Sequence, residues 1–390
     1  MSKHNCMFLP FLLLPFTSCI DAYQAEGAKS LSGILAVDGI ITNDTTVVYL
    51  SRSVDMNADL NETEEVNNAI LFVECSDGSR TSNARYTAQG RYEIETGALN
   101  PSLQYRLHIT LDGKTYASTF LAPLYTPAID SLSYAKRGYG APVYITVSTH
   151  DANEQPSYYR WICKEHWELK AELFAQAGYY GFNPFGPYYI SYQMNTPRNT
   201  YYCWGADSTR LYLTGSSEKL SGNVIANHTL IEIDPSGDKL SILYYVSVAQ
   251  YQVREEAYLY YAGQSKNMTQ TSGVFSHIPA EMQGNIQCLD EPSLPVIGYV
   301  EVSVPTRAER YIPESEGLYE PSDERCYLMI FDYSSDWDNF SIHLFGESDS
   351  VDPELGIVTG SVLTIAPRKC LDCTLRGTKN KPPFWPTDHL

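Results

Sequence analysis

Short runs of β-branched and apolar residues, separated by turn residues, recur along most of this 390-residue chain. Two of them, at 105–111 and 115–120, flank the dipeptide Asp112-Gly113. Asp-Gly between two alternating runs is a strong signal for a β-hairpin, because both turn positions need positive φ. Further strands are predicted at 33–41, 46–50, 69–75, 143–148, 158–167, 240–248, 295–303, 326–331 and 360–365. The pattern predicts a mainly β protein.

Two prolines, Pro123 and Pro127, mark a domain boundary, because proline cannot donate a hydrogen bond to a neighbouring strand. Before this boundary, the closely spaced strands predict an N-terminal β-sandwich over residues 31–122. The runs at 68–74, 90–94, 105–107 and 113–116 resemble, in that order, a transthyretin-like or immunoglobulin-like sandwich of the carboxypeptidase-regulatory type. Residues 123–385 are predicted to form a larger β domain with one inserted helix.

That helix is predicted over residues 253–267. Glu255 lies in its first turn, where the helix dipole favours a negative charge. Val253, Ala257 and Tyr261 recur every four residues and are expected to form its buried stripe.

The N-terminal residues have the layout of a secretory signal. Lys3 precedes an apolar run at 7–16, and the small polar pair at 17–18 comes directly before Cys19. This resembles a bacterial lipobox, which implies a signal peptide at 1–18, lipidation of Cys19 and a tether at 19–30. The alternative is an ordinary cleaved signal followed by a structural cysteine. Because Ile20 rather than an acid follows Cys19, we expect a lipid-anchored protein of the outer membrane, on its periplasmic or its outer face.

The chain is acidic, with a formal net charge of -19 at pH 7. Such a charge repels phosphate backbones, so nucleic-acid binding is not expected. No other apolar run reaches the length of about 20 residues that a membrane helix needs. The membrane contact is therefore expected through the lipid anchor alone.

Seven cysteines remain after Cys6, in the signal, and Cys19 are set aside, so at least one is expected to be free. Cys75 is our candidate for that thiol. Cys163 and Cys203 flank an aromatic segment, and we predict a disulfide between them. The other cysteines are alternative partners, and they are Cys288, Cys326, Cys370 and Cys373. The spacing Cys370-x-x-Cys373 could also form half of a zinc site, but the chain has no second such pair.

The aromatic segment at 174–205 is the most unusual stretch of the chain. Residues 178–205 contain ten aromatic side chains and one charged residue, Arg198. Glycine and proline exclude a long helix or a continuous strand, so we predict a loop that either covers a core or contacts a partner. The candidate binding residues are Tyr179, Tyr180, Phe182, Phe185, Tyr188, Tyr189, Arg198 and Trp204.

The sequence contains none of the common nucleophile, metal or nucleotide motifs. The eight histidines are scattered, and the acidic run at 55–65 lacks the fixed positions of a calcium loop. We therefore expect neither catalytic residues nor a metal or cofactor.

Five segments that follow the lipobox in a fixed order resemble those of a known family. They are 255–261, 271–275, 284–288, 295–299 and the C-terminal pair 370–377 and 383–385. Together they are similar to the Bacteroidota lipoprotein family called domain of unknown function 4249, over about residues 31–385. The resemblance implies a partner, a TonB-dependent outer-membrane transporter, and no assigned chemistry. The expected function is a non-enzymatic ligand- or protein-binding accessory of that transporter. The alternatives are a cell-envelope hydrolase acting on glycans and a structural or assembly factor for an outer-membrane barrel.

Overall fold

The computed structural model describes residues 33–53, 64–153, 155–174, 177–183, 186–191, 200–209, 212–270, 284–321, 326, 329–332, 355–359 and 362–386. The described residues are mostly strands in five sheets, which confirms the mainly β class. No helix among them is long and apolar enough to cross a membrane.

Two sheets form the first sandwich. One contains β1 (Leu35–Ile41), β2 (Asp44–Arg52), β3 (Glu64–Glu65), β5 (Arg85–Ala88), β6 (Arg91–Gly97), β9 (Leu124–Tyr125) and β20 (Val296–Val304). The other contains β4 (Ile70–Cys75), β7 (Tyr105–Leu111), β8 (Lys114–Ser118) and β19 (Ile286–Cys288). Their facing side chains form one core that is mostly aliphatic.

Strand β7 shows how the sequence builds this core. Its burial alternates strictly, with Tyr105, Leu107, Ile109 and Leu111 inside. Leu111 pairs with Lys114 across the turn, and the two turn residues have φ of 51° and 74°. The predicted Asp-Gly hairpin is confirmed.

Two strands of the first sandwich come from far along the chain. β20 pairs in parallel with β1, from Leu35 opposite Val296 to Ile41 opposite Val302. β19 pairs antiparallel with β8. Residues 286–304 fall in the range that the sequence assigns to the second domain, and here they complete the sheets of the first.

Two further sheets form the second sandwich. One contains β10 (Ile129–Lys136), β11 (Val143–His150) and β17 (Val224–Ile233). The other contains β12 (Tyr158–Lys170), β15 (Tyr202–Ser208), β16 (Leu213–Ser216), β18 (Leu243–Val253) and β21 (Thr306–Pro313). Their common core includes large aromatic side chains, among them Tyr159, Trp161 and Tyr244.

A fifth sheet contains part of the predicted aromatic segment. Its strands are β13 (Ala177–Asn183), β14 (Gly186–Ser191), β22 (Met329–Asp332), β23 (Leu355–Thr359) and β24 (Val362–Ile365). β13 and β14 pair as an antiparallel hairpin, so this part of the segment is not the irregular loop we predicted. Short paired strands tolerate the glycines that a long strand would not.

The main helix, α1 (Glu255–Gln270), lies where the sequence predicts a helix. Two members of its predicted stripe, Ala257 and Tyr261, are confirmed as fully buried. Val253 is also buried, but it ends β18, so the helix begins two residues later than predicted. The stripe packs with residues of both sandwiches, including Ile40 and Tyr251, and so joins them. The other helical segments of the described residues are α2 (Arg368–Leu371) and four 3-10 turns at Ser221–Asn223, Asp238–Leu240, Glu314–Glu316 and Cys373–Leu375.

Candidate functional site

A cleft of about 870 Å³ lies between the outer faces of the two sandwiches. Its volume falls within the range of small-molecule sites, roughly 300–1,000 Å³. One wall comes from β1, β2 and the turn before β6, and the other from β12, β18 and β21.

The first wall is built by strand register. Asp38 lies opposite Tyr49, and Tyr49 lies opposite Arg91, so these three residues form one row across β1, β2 and β6. The turn before Arg91 extends the row with Gln89, which has a φ of 52°. Gly90 completes this turn with a φ of 69°, and a Cβ there would lie 2.2 Å from the Leu50 carbonyl oxygen.

The second wall follows from alternation along β12, which places Arg160, Ile162 and Lys164 on one face. Their neighbours on β18 line the cleft as well, with Ala249 opposite Ile162 and Ser247 opposite Lys164. Arg307 of β21 lies opposite Ala249 and adds a cation at the edge of this wall.

An ion pair joins the two walls of the cleft. The guanidinium of Arg160 donates to both carboxylate oxygens of Asp38, at 2.9 and 3.1 Å. Its carbon lies 4.6 Å from the ring centroid of Tyr212 and 4.4 Å from that of Tyr261. Burial by itself would lower the pKa of Arg160, but the Asp38 carboxylate together with Tyr261 and Tyr212 outweighs this effect and the pKa is raised. Arg160 is therefore charged, and two of its N–H groups join the sandwiches through Asp38.

Two other cations of the lining have fewer partners. Lys164 and Arg307 are exposed, and neither has an ion-pair partner within the described part of the chain. Arg91 is paired with Glu93, which also pairs with Arg85, and it donates to the Thr87 hydroxyl at 3.3 Å. The lining residues include four bases and one acid, Asp38.

This arrangement can hold a ligand through charge, hydroxyl groups and one half-exposed ring, that of Tyr49. Most glycoside hydrolases use two carboxyl groups that face each other, and among the described residues the cleft lining provides Asp38 alone. No group of three or more His, Cys, Asp or Glu among the described residues could hold a metal ion. The cleft has the composition of a binding site.

The predicted disulfide between Cys163 and Cys203 is wrong. Cys203 is bonded to Cys373, and Cys163 is a buried free thiol. The register explains this, because Cys203 lies opposite Leu169, six residues further along β12 than Cys163. At about 3.3 Å per residue, the two sulfurs are separated by roughly 20 Å along the strand. Burial raises the pKa of Cys163 to about 12, so its thiol stays protonated.

The Cys370-x-x-Cys373 pair is used in two separate disulfides. Cys370 is bonded to Cys326 and Cys373 to Cys203, so neither is available for the alternative zinc site. Cys75 is free, as predicted, although it is only half-buried, and Cys288 is free as well. The two bonds attach the C-terminal segment to distant parts of the chain.

The aromatic candidates are placed unequally. Trp204 is buried against Leu243, Tyr245 and Trp385, and it also lines a second cleft of about 590 Å³. Trp204 is held there because β15 pairs with β12 at Glu168. Five others lie on the backbone of the β13–β14 hairpin, and these are Tyr179, Tyr180, Phe182, Tyr188 and Tyr189. Phe185, Arg198 and Cys19 lie outside the described residues.

Sequence reasoning did not find the cleft residues. Asp38, Arg91, Lys164 and Arg307 belong to four separate strands, and no motif connects them. The alternation of the predicted strand at 158–167 could have placed Arg160 and Lys164 on one face. No local sequence pattern could have shown which face of the first sandwich lies opposite these residues of β12.

The chain belongs to the family described as Domain of unknown function (DUF4249), whose model matches residues 20–309. This match includes both walls of the cleft. None of the curated proteins compared with the chain matches it.

Proposed function

We propose that this protein is a non-enzymatic binding protein, held at the outer membrane through lipid on Cys19, that serves as an accessory of a TonB-dependent transporter. The observation that supports a binding function is the cleft between the sandwiches. It has the volume of a ligand site and walls that are fixed by strand register and by the Arg160–Asp38 pair.

The composition of the cleft favours binding over the alternative of glycan hydrolysis. A hydrolase would need a second carboxyl group near the first. The one carboxylate of the lining, Asp38, accepts two hydrogen bonds from Arg160 and holds the walls together.

The proposed location rests on the sequence before the described residues. Lys3, the apolar run at 7–16 and Cys19 have the order of a lipoprotein signal. Two or more acyl chains suffice for stable membrane attachment. We expect the full chain to fractionate with the outer membrane and the Cys19→Ala variant to be released from it. Recovery of Cys19→Ala in the membrane pellet would contradict the proposed anchor.

The proposed partner is tested by affinity capture of the full chain from solubilised outer membranes. We expect a TonB-dependent transporter to co-purify. The aromatic hairpin is the proposed contact, because binding energy concentrates in a few Tyr, Trp and Arg side chains. The combined Tyr188→Ala/Tyr189→Ala change should therefore abolish capture and leave the melting temperature nearly unchanged.

Tyr139→Ala is the matched control, since Tyr139 is 92% exposed in a turn outside this hairpin. It should leave capture intact. If no transporter is captured with the wild-type chain, the accessory role is wrong. If Tyr188→Ala/Tyr189→Ala unfolds the protein and the folded remainder still captures the transporter, these rings serve the core and not the contact.

A further inference from the structure

We propose that the cleft between the sandwiches takes a small anionic molecule, whose carboxylate or phosphate group binds to Lys164 and Arg307. This inference rests on the proposed binding function, and it identifies the chemical class of the ligand.

The charge of the cleft is opposite to that of the protein. The whole chain has 46 acids and 27 bases. Within the described ranges, the cleft lining has Arg91, Arg160, Lys164 and Arg307 against Asp38 alone. A cleft with low-dielectric walls and one sign of charge concentrates ions of the opposite sign, even where the remaining surface repels them. A binding site for a cation or a neutral apolar molecule would not need this excess of bases.

Two cations of the lining remain available to a ligand. Two N–H groups of Arg160 donate to Asp38, and Arg91 pairs with Glu93 and donates to the Thr87 hydroxyl at 3.3 Å. Lys164 and Arg307 have no ion-pair partner within the described ranges, and the nearest acid by register, Glu309, lies opposite Ser247 in the row of Lys164. An anion entering the cleft would therefore meet two cations that have no carboxylate within ion-pair distance.

The residues between these cations leave room for the anion. Ala249 lies between Ile162 and Arg307 in one row across the sheet, and its methyl group occupies little space. In the next row, Lys164 has a serine on each side, Ser208 on β15 and Ser247 on β18. Hydroxyl groups beside an ammonium group are suitable donors to carboxylate and phosphate oxygens.

The first wall offers a different surface to the rest of the ligand. Tyr49 is 47% exposed and lies in the same row as Arg91. A ring in this position can pack against the carbon skeleton while the anionic group is held by the cations. The geometry favours a molecule with a charged end and an uncharged body.

The test is calorimetric titration of the full chain in detergent with citrate, inorganic phosphate, glucose 6-phosphate and glucose. We expect at least one anion to bind and glucose, the uncharged partner of glucose 6-phosphate, not to bind. Binding of citrate alone would assign the site to carboxylates, and binding of phosphate or glucose 6-phosphate would assign it to phosphates. The affinity should fall as salt concentration rises.

Charge reversal locates the site. Lys164→Glu/Arg307→Glu should weaken anion binding by about 100-fold or more, because each hydrogen bond to a charged group contributes roughly tenfold. Arg137→Glu/Lys219→Glu changes the net charge by the same amount at exposed positions outside the cleft. This control should retain most of the affinity, and melting curves should show that both variants are folded.

The proposal is wrong if no anion binds better than glucose, or if the two double variants weaken binding equally. These outcomes are separate from the partner test. If the chain captures no transporter but binds citrate in a Lys164- and Arg307-dependent way, the accessory role fails and the anion site stands.

Discussion

The two sandwiches of this protein are stabilised in different ways. The core of the first is mostly aliphatic, and its two thiols, Cys75 and Cys288, are free. The second sandwich buries aromatic rings and charged groups together. Trp161 donates to Gln250 at 2.9 Å, and Glu165 accepts hydrogen bonds at 2.7 Å from both Lys239 and Tyr244.

The two cores differ in how far their stability depends on specific hydrogen-bond partners. An aliphatic core gains stability from each side chain that leaves water, largely without regard to orientation. A buried carboxylate or indole must find a specific hydrogen-bond partner, or it destabilises the fold. The second sandwich is also the one to which a disulfide attaches the C-terminal segment. We therefore expect it to be the more sensitive of the two to single changes.

The largest effect should come from removing the bond between Cys203 and Cys373. This bond closes a loop of 170 residues. In the loop-entropy model, Cys203→Ser/Cys373→Ser should reduce the free energy of unfolding by about 5 kcal/mol. Urea denaturation and limited proteolysis would measure this change, with cleavage expected first in the C-terminal segment.

Cys75→Ala is the control in the first sandwich and should change the stability little. Equal stability of the double variant and the wild type would contradict the proposed difference between the sandwiches.

The next effect concerns the junction between the sandwiches. Asp38→Ala leaves the buried guanidinium of Arg160 without its carboxylate, which should cost about 3–5 kcal/mol. Asp112→Asn is the matched control, because Asp112 pairs with Arg52 at the surface and such pairs contribute about 0–1 kcal/mol. Asparagine removes the charge and tolerates the positive φ of this turn position. Thermal and urea unfolding of both variants would show whether the junction is as sensitive as the second sandwich. Similar losses in both variants would mean that the Arg160 pair is no more important than a surface pair.

A smaller effect is expected for a glycine of the second sandwich. A Cβ on Gly205 would lie 2.1 Å from the Trp167 ring, which packs over this position. Gly205→Ala should therefore destabilise the protein by about 1–3 kcal/mol through overpacking. Gly237→Ala serves as the control, since the nearest atom to its Cβ, the Asp234 oxygen, is 3.5 Å away. An unchanged melting temperature for Gly205→Ala would show that Trp167 can move aside.

The smallest effect is a pH dependence that both sandwiches share. His108 stacks on Phe72 in the first and His228 on Trp161 in the second, and burial lowers the pKa of both below 6.5. These two histidines therefore bind protons more readily in the unfolded chain than in the folded one. The stability that each histidine contributes is present above pH 6.5 and is lost as the pH falls through the folded-state pKa.

His228→Gln should reduce the loss of stability between pH 7.5 and 5.5, measured as the shift of the urea midpoint. His150→Gln should act in the opposite direction, because a hydrogen bond to Asp130 raises the pKa of His150. The second sandwich should show the larger effect, since His228 is the more buried of the two stacked histidines. If His228→Gln has the same pH dependence as the wild type, protonation of this residue does not contribute.

Local patterns were sufficient for much of the fold. The alternation in β7, the Asp112-Gly113 turn and the stripe of α1 were all predicted, because each depends on residues within a few positions of one another. The same reasoning predicted a free thiol at Cys75 and a role for Cys370 and Cys373 outside a metal site.

The tertiary structure decided what distant residues do together. The parallel pairing of β1 with β20 joins positions about 260 residues apart and has no turn that could signal it. The partner of Cys203 depended on the register of β15 against β12, which places Leu169 and not Cys163 beside it. The cleft depended on which outer face of one sandwich lies opposite the other. The local sequence determines turns, alternation and burial over a few residues. The disulfide partner and the cleft depend on residues far apart in the chain, which come together only when the sheets pack.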